Sequence, residues 1–474
     1  MAKTVSPGVQ ALRDVVEKVY RELREAKEAG EPVGWSSSKF PCELAESFGL
    51  HVGYPENQAA GIAANRDGEV MCQAAEDLGY DNDICGYSRI SLAYAAGYRG
   101  ANKMDKDGNY VINPNSGKPL KDANGNKVLD ENGKPVKDPK TLKPYATTDN
   151  IYEIAALPDG EEKTRRQNAL HKYRQMTMPM PDFVLCCNNI CNCMTKWYEN
   201  IARMCNIPLI MVDIPYNNTV EVSDSAVKYV RAQFDNAIPE LETLTGKKFD
   251  EKKFELACKH ANRTAQNWLK VCDFLQYKPA PMSGFDLFNH MADVVTARGK
   301  EAAADAFELL SKDLQKNIEE GTSTLPFPEQ YRVMFEGIPC WPKLPNLFKP
   351  LKENGINVTA VVYAPAFGFV YNNMDEMARA YYKAPNSVCI EQGVAWREGI
   401  CRDNKVDGVL VHYNRSCKPW SGYMAEMQRR FTADLGVPCA GFDGDQADPR
   451  NFNEAQYATR VQGLVEAMEA NKKD

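Results

Sequence analysis

Histidine is scarce in this chain, and two common nucleotide-binding loops are missing from it. Only five of its 474 residues are histidine, which argues against a His-rich zinc or di-iron site and favours sulfur as the ligand of any metal. The sequence contains no GxxxxGKS/T loop and no GxGxxG loop. These absences argue against ATP hydrolysis by this chain and against the use of NAD.

Long apolar runs and clustered positive charge are also missing. No segment approaches the roughly 20 consecutive apolar residues that a membrane-spanning helix needs. The net charge of −7 is spread along the chain, so the basic footprint of a nucleic-acid-binding protein is absent. We therefore predict neither a membrane nor a nucleic acid among the partners. The composition, 43% hydrophobic and 26% charged, is that of a globular enzyme with room for roughly two or three domains.

Cysteine, in contrast, is abundant. The chain has 15 cysteines, and its opening MAKTVSPGVQALRDVVEKVY has no apolar signal segment, so we predict a cytoplasmic location and reduced thiols. In a reducing compartment, thiols that converge from distant loops usually hold a metal or carry out redox chemistry. Cysteine thiolates are also the usual ligands of iron–sulfur clusters.

Alternating strand and helix patterns predict an α/β fold made of two doubly wound parallel-sheet domains. Apolar runs such as FVLCC and PLIMVDIP in the first half, and NVTAVVY and GVLVHY in the second, are typical of strands buried on both faces. Between them, residues 221–320 have a helical pattern with one break at YKPAPMSG. We place an N-terminal α/β domain at 1–220, a helical segment at 221–325 and a C-terminal α/β domain at 326–474.

Residues 100–148 differ in composition from the rest of the chain and are rich in Gly, Asn, Asp, Lys and Pro. The units DKDGNYVI, DANGNKVL and DENGKPV repeat a turn followed by a short strand, which predicts a hairpin-rich surface insertion. DKDG and DANGN also resemble the start of a calcium loop. The acidic residue at the twelfth loop position is missing, so hairpin turns are the favoured interpretation.

Three cysteines occupy similar places in this pattern. Cys191 lies in the loop after FVLCC, Cys417 lies in the loop after VLVHY, and Cys85 follows a predicted helix at 56–78 and precedes another helix. Ligands of open parallel sheets bind beyond the carboxyl ends of the strands. A helix N-terminus lowers the pKa of a thiol and stabilises the thiolate. We predict that the three thiols hold a metal in the cleft between the two domains.

Two alternatives to this ligand set remain open. Cysteine often serves as a small core hydrophobe, so each of the three thiols could be a packing residue. Cys187 and Cys193 flank Cys191, and either of them could take its place. Cys187 ends the predicted strand and Cys193 lies one position into the helix, which favours Cys191 as the ligand.

Five segments resemble the 2-hydroxyacyl-CoA dehydratases, and most strongly the larger, alpha subunits that act on 2-hydroxyglutaryl-CoA. They follow in family order from residue 34 to residue 460, apart from the insertion. The segments are GWSSSKFPCEL, DICGYSRI, NNICNCMTKWYE, DGVLVHYNRSCKPWSG and GFDGDQADPRNFNEAQYATR. Relatives of this family include the benzoyl-CoA reductases that consume ATP. Lactyl, phenyllactyl and isocaproyl groups stay open as alternatives to the 2-hydroxyglutaryl group.

The resemblance implies a 4Fe–4S cluster with three cysteine ligands and one iron position open to water or substrate. The implied ligands are Cys85, Cys191 and Cys417. It also implies catalytic roles near the open iron for Ser37 or Ser38 and for Glu56. From the residues alone, the serine run is also explained as a turn that caps a helix starting near Pro41. Glu56 is likewise explained as an acidic residue in the first turn of a helix.

The implied reaction eliminates water from an (R)-2-hydroxyacyl-CoA, here (R)-2-hydroxyglutaryl-CoA, to give the (E)-2-enoyl-CoA, glutaconyl-CoA. The thioester acidifies the alpha protons, but the proton that leaves is on the beta carbon. General acid–base catalysis accelerates a proton transfer by about 10²–10⁴-fold, which is too little for so weak an acid. One electron added to the thioester carbonyl gives a ketyl radical anion that expels the alpha hydroxyl. The enoxy radical left behind has a far more acidic beta proton, and the electron is finally returned. The chain is thus expected to be the iron–sulfur subunit of a hydro-lyase.

The resemblance further implies several partners. Family members are heterodimers of two related subunits, so we expect a smaller beta subunit. A separate ATP-hydrolysing activator with its own 4Fe–4S cluster is expected to supply the electron. A flavin (FMN) is expected in the partner subunit rather than in this chain. Amino acid fermentation by an anaerobe, and glutamate degradation in particular, is the expected setting.

Two other functions stay open. A relative of benzoyl-CoA reductase would share the fold and the ligands but would reduce an aromatic acyl-CoA. A non-catalytic subunit would carry a cluster for electron transfer and would lack the open iron. Four basic residues beside the cysteines are candidates to offset cluster charge or to meet the CoA phosphates, or else are solvated surface charges. They are Arg89, Lys196, Arg415 and Lys418.

Overall fold

Two four-stranded parallel sheets form the framework of the chain. The computed structural model covers residues 5–171, 177–385 and 387–472, and these residues form 12 strands. The strands are β1 (Val33–Ser36), β2 (His51–Gly53), β3 (Tyr98–Asn102), β4 (Ile112–Asn113), β5 (Lys143–Pro144), β6 (Ala146–Asn150), β7 (Phe183–Cys187), β8 (Leu209–Val212), β9 (Tyr331–Glu336), β10 (Ile356–Val361), β11 (Gly408–Asn414) and β12 (Cys439–Gly444).

Helices connect and cover these strands. The same residues form 17 α-helices. The helices are α1 (Pro7–Glu28), α2 (Cys42–Ser47), α3 (Pro55–Ala64), α4 (Gly68–Asp77), α5 (Gly86–Ala95), α6 (Ile151–Ala156), α7 (Glu161–Ala169), α8 (Asn192–Cys205), α9 (Asp224–Thr245), α10 (Glu251–Asp273), α11 (Gly284–Ala297), α12 (Glu301–Glu319), α13 (Leu344–Glu353), α14 (Met374–Tyr382), α15 (Ile390–Asp403), α16 (Met424–Leu435) and α17 (Glu454–Asn471). None of them combines the length and the apolar character that crossing a membrane requires.

The two sheets have the same strand order. The first sheet runs β2-β1-β7-β8 and the second runs β10-β9-β11-β12. In each sheet the chain first moves to one side of its starting strand and later returns to the other side. The order therefore reverses between β1 and β7 and between β9 and β11. In open parallel sheets, the crevice beyond the carboxyl ends of the strands at such a reversal is the usual place for a ligand.

Both faces of each sheet are buried, which confirms the predicted doubly wound α/β fold. Successive side chains of a strand point to opposite faces. In β7, Phe183 and Leu185 belong to one hydrophobic core, whereas Val184 and Cys186 belong to a second core on the other face. The same alternation occurs in β9 and β11. Because each face meets helices, these strands read as continuous apolar runs rather than alternating ones.

The helical segment between the sheets agrees with its sequence pattern. Residues 221–320 form α9, α10, α11 and α12, and the break at YKPAPMSG falls between α10 and α11. These helices pack on both halves of the chain, since α12 lies against α1 and α11 lies against β10. The domain boundaries at 220 and 325 stay predictions.

The single helix predicted over residues 56–78 is wrong. The segment forms two helices, α3 and α4, because Arg66 adopts a left-handed backbone conformation with φ 75°. Such a residue ends a helix. The following Gly68 begins α4, and a Cβ at this position would lie 2.1 Å from the carbonyl oxygen of Ala447. The break therefore lets the start of α4 pack closely on the loop after β12.

The insertion forms the hairpins that its sequence predicts. β3 and β6 pair antiparallel at its base, and isolated bridges join Met104 to Tyr110, Lys121 to Lys127 and Leu129 to Pro135. At each turn an aspartate accepts backbone N–H groups two and four residues further along the chain. These carboxylates stabilise Asx-type turns, which explains the repeated Asp-x-x-Gly pattern without calcium.

Candidate functional site

A cavity of about 330 Å³ lies at the carboxyl ends of both sheets. Its wall includes residues from the loops that follow strands on either side of the two order reversals: Lys39 after β1, Cys191 after β7, Trp341 after β9 and Cys417 after β11. The two halves of the chain thus present the expected ligand-binding edges of their sheets to one shared cavity.

The three cysteines that the sequence predicts as ligands lie on the wall of this cavity. Cys85 occupies the cap position before α5, and Cys191 occupies the cap position before α8. Neither thiol takes part in a side-chain capping bond of the helix that it precedes. Cys417 lies in the turn after β11, where its N–H donates to the carbonyl of Asn414 over 3.0 Å. The structure therefore brings together thiols that are separated by more than 100 residues in sequence.

The two alternative ligands are placed differently. Cys193 also lines the cavity, next to Cys85. Cys187 does not: it is fully buried at the end of β7, and its Sγ lies 2.9 Å from Oδ1 of Asn189. The geometry thus leaves Cys191 and Cys193 as neighbouring candidates and gives Cys187 a place in the core.

The pKa values of these three thiols are raised, whereas their places near helix N-termini predict lowered ones. A hydrogen bond with Cys193, and then burial, raise the pKa of Cys85. Burial raises the pKa of Cys191 and brings that of Cys417 to about 12. Desolvation outweighs the helix ends because the cavity wall is largely apolar. Binding a metal would therefore displace protons from these thiols.

The metal-binding donors on the cavity wall are mainly thiols. Among the residues that the structure describes, no three His, Cys, Asp or Glu side chains are grouped so as to bind one ion. Four thiols instead surround the cavity: Cys85, Cys191, Cys193 and Cys417. A cluster of several irons spreads its thiolate ligands more widely than one ion does, and thiolates are its usual protein ligands.

An amide from the second half of the chain contacts one of these thiols. Nε2 of Gln446 donates to Sγ of Cys85 over 3.2 Å. The Oε1 atom of the same amide is buried and has no partner among the described residues. Gln446 follows β12 within the segment GFDGDQADPR, whose position after a strand is the one sequence signal for a role at the site.

Ser38 and Glu56 meet at the cavity wall. The backbone N–H of Ser38 donates to Oε2 of Glu56 over 3.0 Å, and the Ser38 hydroxyl donates to Oε1. Tyr198, which no sequence pattern singles out, donates to the same carboxyl over 3.1 Å. Burial raises the pKa of Glu56 despite these hydrogen bonds. The result is a carboxyl that holds a proton more tightly than an exposed one.

Ser37 does not reach this cavity. Its side chain is fully buried, and its Oγ accepts the backbone N–H of Cys187 over 3.2 Å. The serine run also does not cap the following helix, since α2 begins after Pro41 without a side-chain capping bond. Of the two candidate serines, the structure thus places Ser38 beside Glu56 and Ser37 against β7.

The four basic residues flanking the cysteines do not line the cavity. Arg89 is fully buried and pairs with Glu76 and Asp448 over 2.6 and 3.0 Å, which makes it part of the packing of α4 and α5. Lys196, Arg415 and Lys418 are exposed. The lysine that does line the cavity is Lys39, which the sequence pattern does not single out although it follows the serine run directly.

Comparison with known proteins gives these features a context. The family profile described as "2-hydroxyglutaryl-CoA dehydratase, D-component" matches residues 163–468. Over 471 residues the chain is 82% identical to "(R)-2-hydroxyglutaryl-CoA dehydratase, subunit alpha" of Acidaminococcus fermentans, and the match covers 99% of each chain. It is 44% identical over 461 residues to "(R)-phenyllactyl-CoA dehydratase alpha subunit" of Clostridium sporogenes, covering 97% of this chain and 95% of the relative.

A more distant relative is named for a different reaction. The chain is 24% identical over 314 residues to one subunit of the benzoyl-CoA reductase of Thauera aromatica, covering 62% of this chain and 72% of the relative. The fold, the site and the stronger matches define a component of a dehydratase, that is, of a hydro-lyase. More particularly, the chain belongs to the family of the 2-hydroxyglutaryl-CoA dehydratase D-component.

Proposed function

We propose that the chain is the iron–sulfur subunit of a radical dehydratase that converts (R)-2-hydroxyglutaryl-CoA to (E)-glutaconyl-CoA. The observation that carries the proposal is the meeting of Cys85, Cys191 and Cys417 on one cavity in a chain that is 82% identical to an alpha subunit with this substrate in its name. These three thiols would hold a 4Fe–4S cluster, which when bound supplies a Lewis-acidic iron and one-electron chemistry.

The protein's own part in the reaction follows from the cavity. Glu56, which lines the cavity, would give a proton to the alpha hydroxyl as it leaves from the ketyl radical anion. Ser38 orients the carboxyl through its two hydrogen bonds. The apolar wall, which includes Met194, Trp197 and Phe288, excludes water from the radical and strengthens electrostatic interactions inside the cavity.

The proposal includes partners that the chain itself does not supply. A relative carries "subunit alpha" in its name, which supports a related beta subunit for this chain. We expect FMN to be bound in that subunit rather than in this chain. A separate ATP-hydrolysing activator is expected to deliver the electron to the complex. After the beta proton leaves, the electron is returned, so the reductant is needed for activation and is not consumed in each turnover.

The test is a pair of measurements on the anaerobically purified complex. We expect about four irons and four sulfides from this chain and about as many from the cluster of the beta subunit, and dehydration of (R)-2-hydroxyglutaryl-CoA once activator, ATP and a reductant have been added. Absence of iron would refute the proposal. Consumption of reductant in a fixed ratio to the substrate converted would favour the reductase alternative. A paramagnetic resonance signal of the cluster that does not change when substrate is added would favour the electron carrier.

The two serines give a first testable prediction. Ser38→Ala removes a hydrogen bond that lowers the pKa of Glu56, so kcat should fall about tenfold and the high-pH limb of the rate profile should move to higher pH. Ser37→Ala should change kcat less than about threefold, because Ser37 contacts Cys187 and not the cavity. Steady-state rates across pH for both variants provide the measurement; a larger loss in Ser37→Ala contradicts the assignment.

A second prediction concerns Gln446. Its N–H stabilises the more negative, reduced form of a cluster bound through Cys85, so Gln446→Leu should lower the midpoint potential. A hydrogen bond of about 1 kcal/mol corresponds to a shift of about 40 mV for one electron. The measurement is a redox titration followed by electron paramagnetic resonance. Asn289→Leu is the matched control, since Asn289 also lines the cavity; equal shifts in both variants would rule out the bond to Cys85 as the cause.

A further inference from the structure

Lys39 is a buried cation on the wall of the cavity. It lies in the turn that follows β1, and its side chain is 4% exposed. Its Nζ lies 4.9 Å from the ring centroid of Phe367 and 5.4 Å from that of Phe369. Such contacts stabilise an ammonium group less than the burial of an unpaired charge destabilises it.

No carboxylate of the described residues forms a salt bridge with Lys39. The charge of Glu56 acts on Lys39, but the Glu56 oxygens already accept hydrogen bonds from Ser38 and Tyr198. Burial, and then the like charge of Arg298, lower the pKa of Lys39 to about 7. An anion bound in the cavity beside Lys39 would therefore stabilise its ammonium form.

The cavity offers an anion no other cationic partner. Of its described lining residues, Lys39 is the one Lys, Arg or His, and Glu56 is the one acidic residue. Arg298, the other buried cation nearby, donates to the hydroxyl of Tyr381 over 2.8 Å and does not line the cavity. An anionic group that enters this space can thus be paired only at Lys39.

Lys39 shares the cavity with the thiols. β1 and β7 are neighbours, with Ser36 paired to Leu185, and adjacent strands lie about 4.8 Å apart. Lys39 and Cys191 follow the carboxyl ends of these two strands. Lys39 and Cys191 therefore reach the same cavity from loops that follow neighbouring strands.

We propose that Lys39 binds the distal carboxylate of the acyl group and so selects a dicarboxylic 2-hydroxyacyl-CoA over monocarboxylic ones. This inference rests on the proposed function for the identity of the substrate. A monocarboxylic acyl group would leave Lys39 buried beside apolar carbon without an anion. The loss of charge pairing, rather than the loss of shape, is what discriminates against it.

The first test measures binding without turnover. Glutaryl-CoA and valeryl-CoA have the same number of acyl carbons and no hydroxyl, so neither is dehydrated, and calorimetry on the complex gives their affinities. Lys39→Met, which keeps the length of the side chain, should weaken glutaryl-CoA about 100-fold and leave valeryl-CoA within about threefold. Lys39→Arg should keep the preference for glutaryl-CoA. Unchanged affinities, or equal losses for both ligands, would overturn the assignment.

The second test separates this inference from the proposed function. Initial rates are measured with (R)-2-hydroxyglutaryl-CoA and (R)-2-hydroxyvaleryl-CoA, and Lys39→Met should reverse the preference in kcat/KM. If the wild-type complex binds glutaryl-CoA through Lys39 but dehydrates neither substrate, the proposed function fails and the carboxylate site stands. If it dehydrates (R)-2-hydroxyglutaryl-CoA and Lys39→Met slows both substrates equally, the proposed function stands and the carboxylate site fails.

Discussion

Cys191→Ala is expected to abolish both the iron bound by this chain and the dehydration of (R)-2-hydroxyglutaryl-CoA. The cluster would keep only two protein ligands, Cys85 and Cys417, on opposite halves of the chain. The complex should lose about four irons for each copy of this chain and keep those of the beta subunit, since protein thiolates hold such clusters in place. Anaerobic iron and sulfide analysis, the paramagnetic resonance spectrum and the activated rate would be measured on the same preparation.

The matched control for this variant lies on the same helix. Cys205 ends α8, whereas Cys191 caps its start, so about 20 Å of helix separates the two thiols. Cys205→Ala should keep iron and activity, because the removed thiol is half-buried and outside the cavity.

Cys193→Ala tests the remaining alternative. Cys193 lines the cavity beside Cys85, but the resemblance assigns the ligand to Cys191, so this variant should keep its iron. Loss of iron in Cys193→Ala together with retention in Cys191→Ala would reverse the assignment. Loss in both would mean that the two thiols bind jointly.

The strands of the fold were predictable because their sequences are unambiguous. Runs such as FVLCC are short and apolar on both faces, and β7 is buried at every one of its five residues. The placement of Cys191 and Cys417 after such strands then follows from the general position of ligands in parallel sheets. The local sequence is thus enough to predict the strands of the two sheets and the positions of Cys191 and Cys417 after them.

The order of the strands was not predictable from the sequence. Several residues of the site were not predictable either, because their positions depend on that order. Gln446 reaches Cys85 across 361 positions of sequence, and Tyr198 reaches Glu56 across 142. Local pattern contains no information about such contacts, which depend on β7 and β11 lying beside β1 and β9. The sequence also gives no sign that Lys39 is buried, because a lysine in a turn is normally exposed.

The choice between two adjacent serines shows a finer limit. Ser37 and Ser38 are equivalent in composition and spacing, but the backbone of Ser37 still pairs with Leu185 as a continuation of β1. The chain turns only after it, so Ser37 points to the core and Ser38 reaches Glu56. One residue of strand length decides which hydroxyl lines the cavity, and strand ends are poorly specified by sequence.

Glu56→Gln is expected to lower kcat by about 10²–10⁴-fold while the cluster remains bound. Glutamine has nearly the same size. Its oxygen can accept the bonds that the Ser38 N–H and Tyr198 make to Oε2, and its NH2 group can donate to the Ser38 hydroxyl, but it does not act as an acid. Iron content and the resonance spectrum should therefore match the wild type, and the loss should appear in kcat rather than in KM. Glu43→Gln is the matched control: Glu43 is also a buried carboxyl that accepts from two hydroxyls, those of Tyr371 and Tyr381, outside the cavity.

The pH profile gives the same prediction a second readout. Burial raises the pKa of Glu56, so its acidic form persists to higher pH than that of an exposed glutamate. Its contribution as a proton donor is complete below this raised pKa and is lost as pH rises through it. The wild-type kcat should fall along that high-pH limb, and the limb should disappear in Glu56→Gln. A variant that keeps the limb, or that loses iron along with activity, would show that Glu56 supports the site without donating the proton.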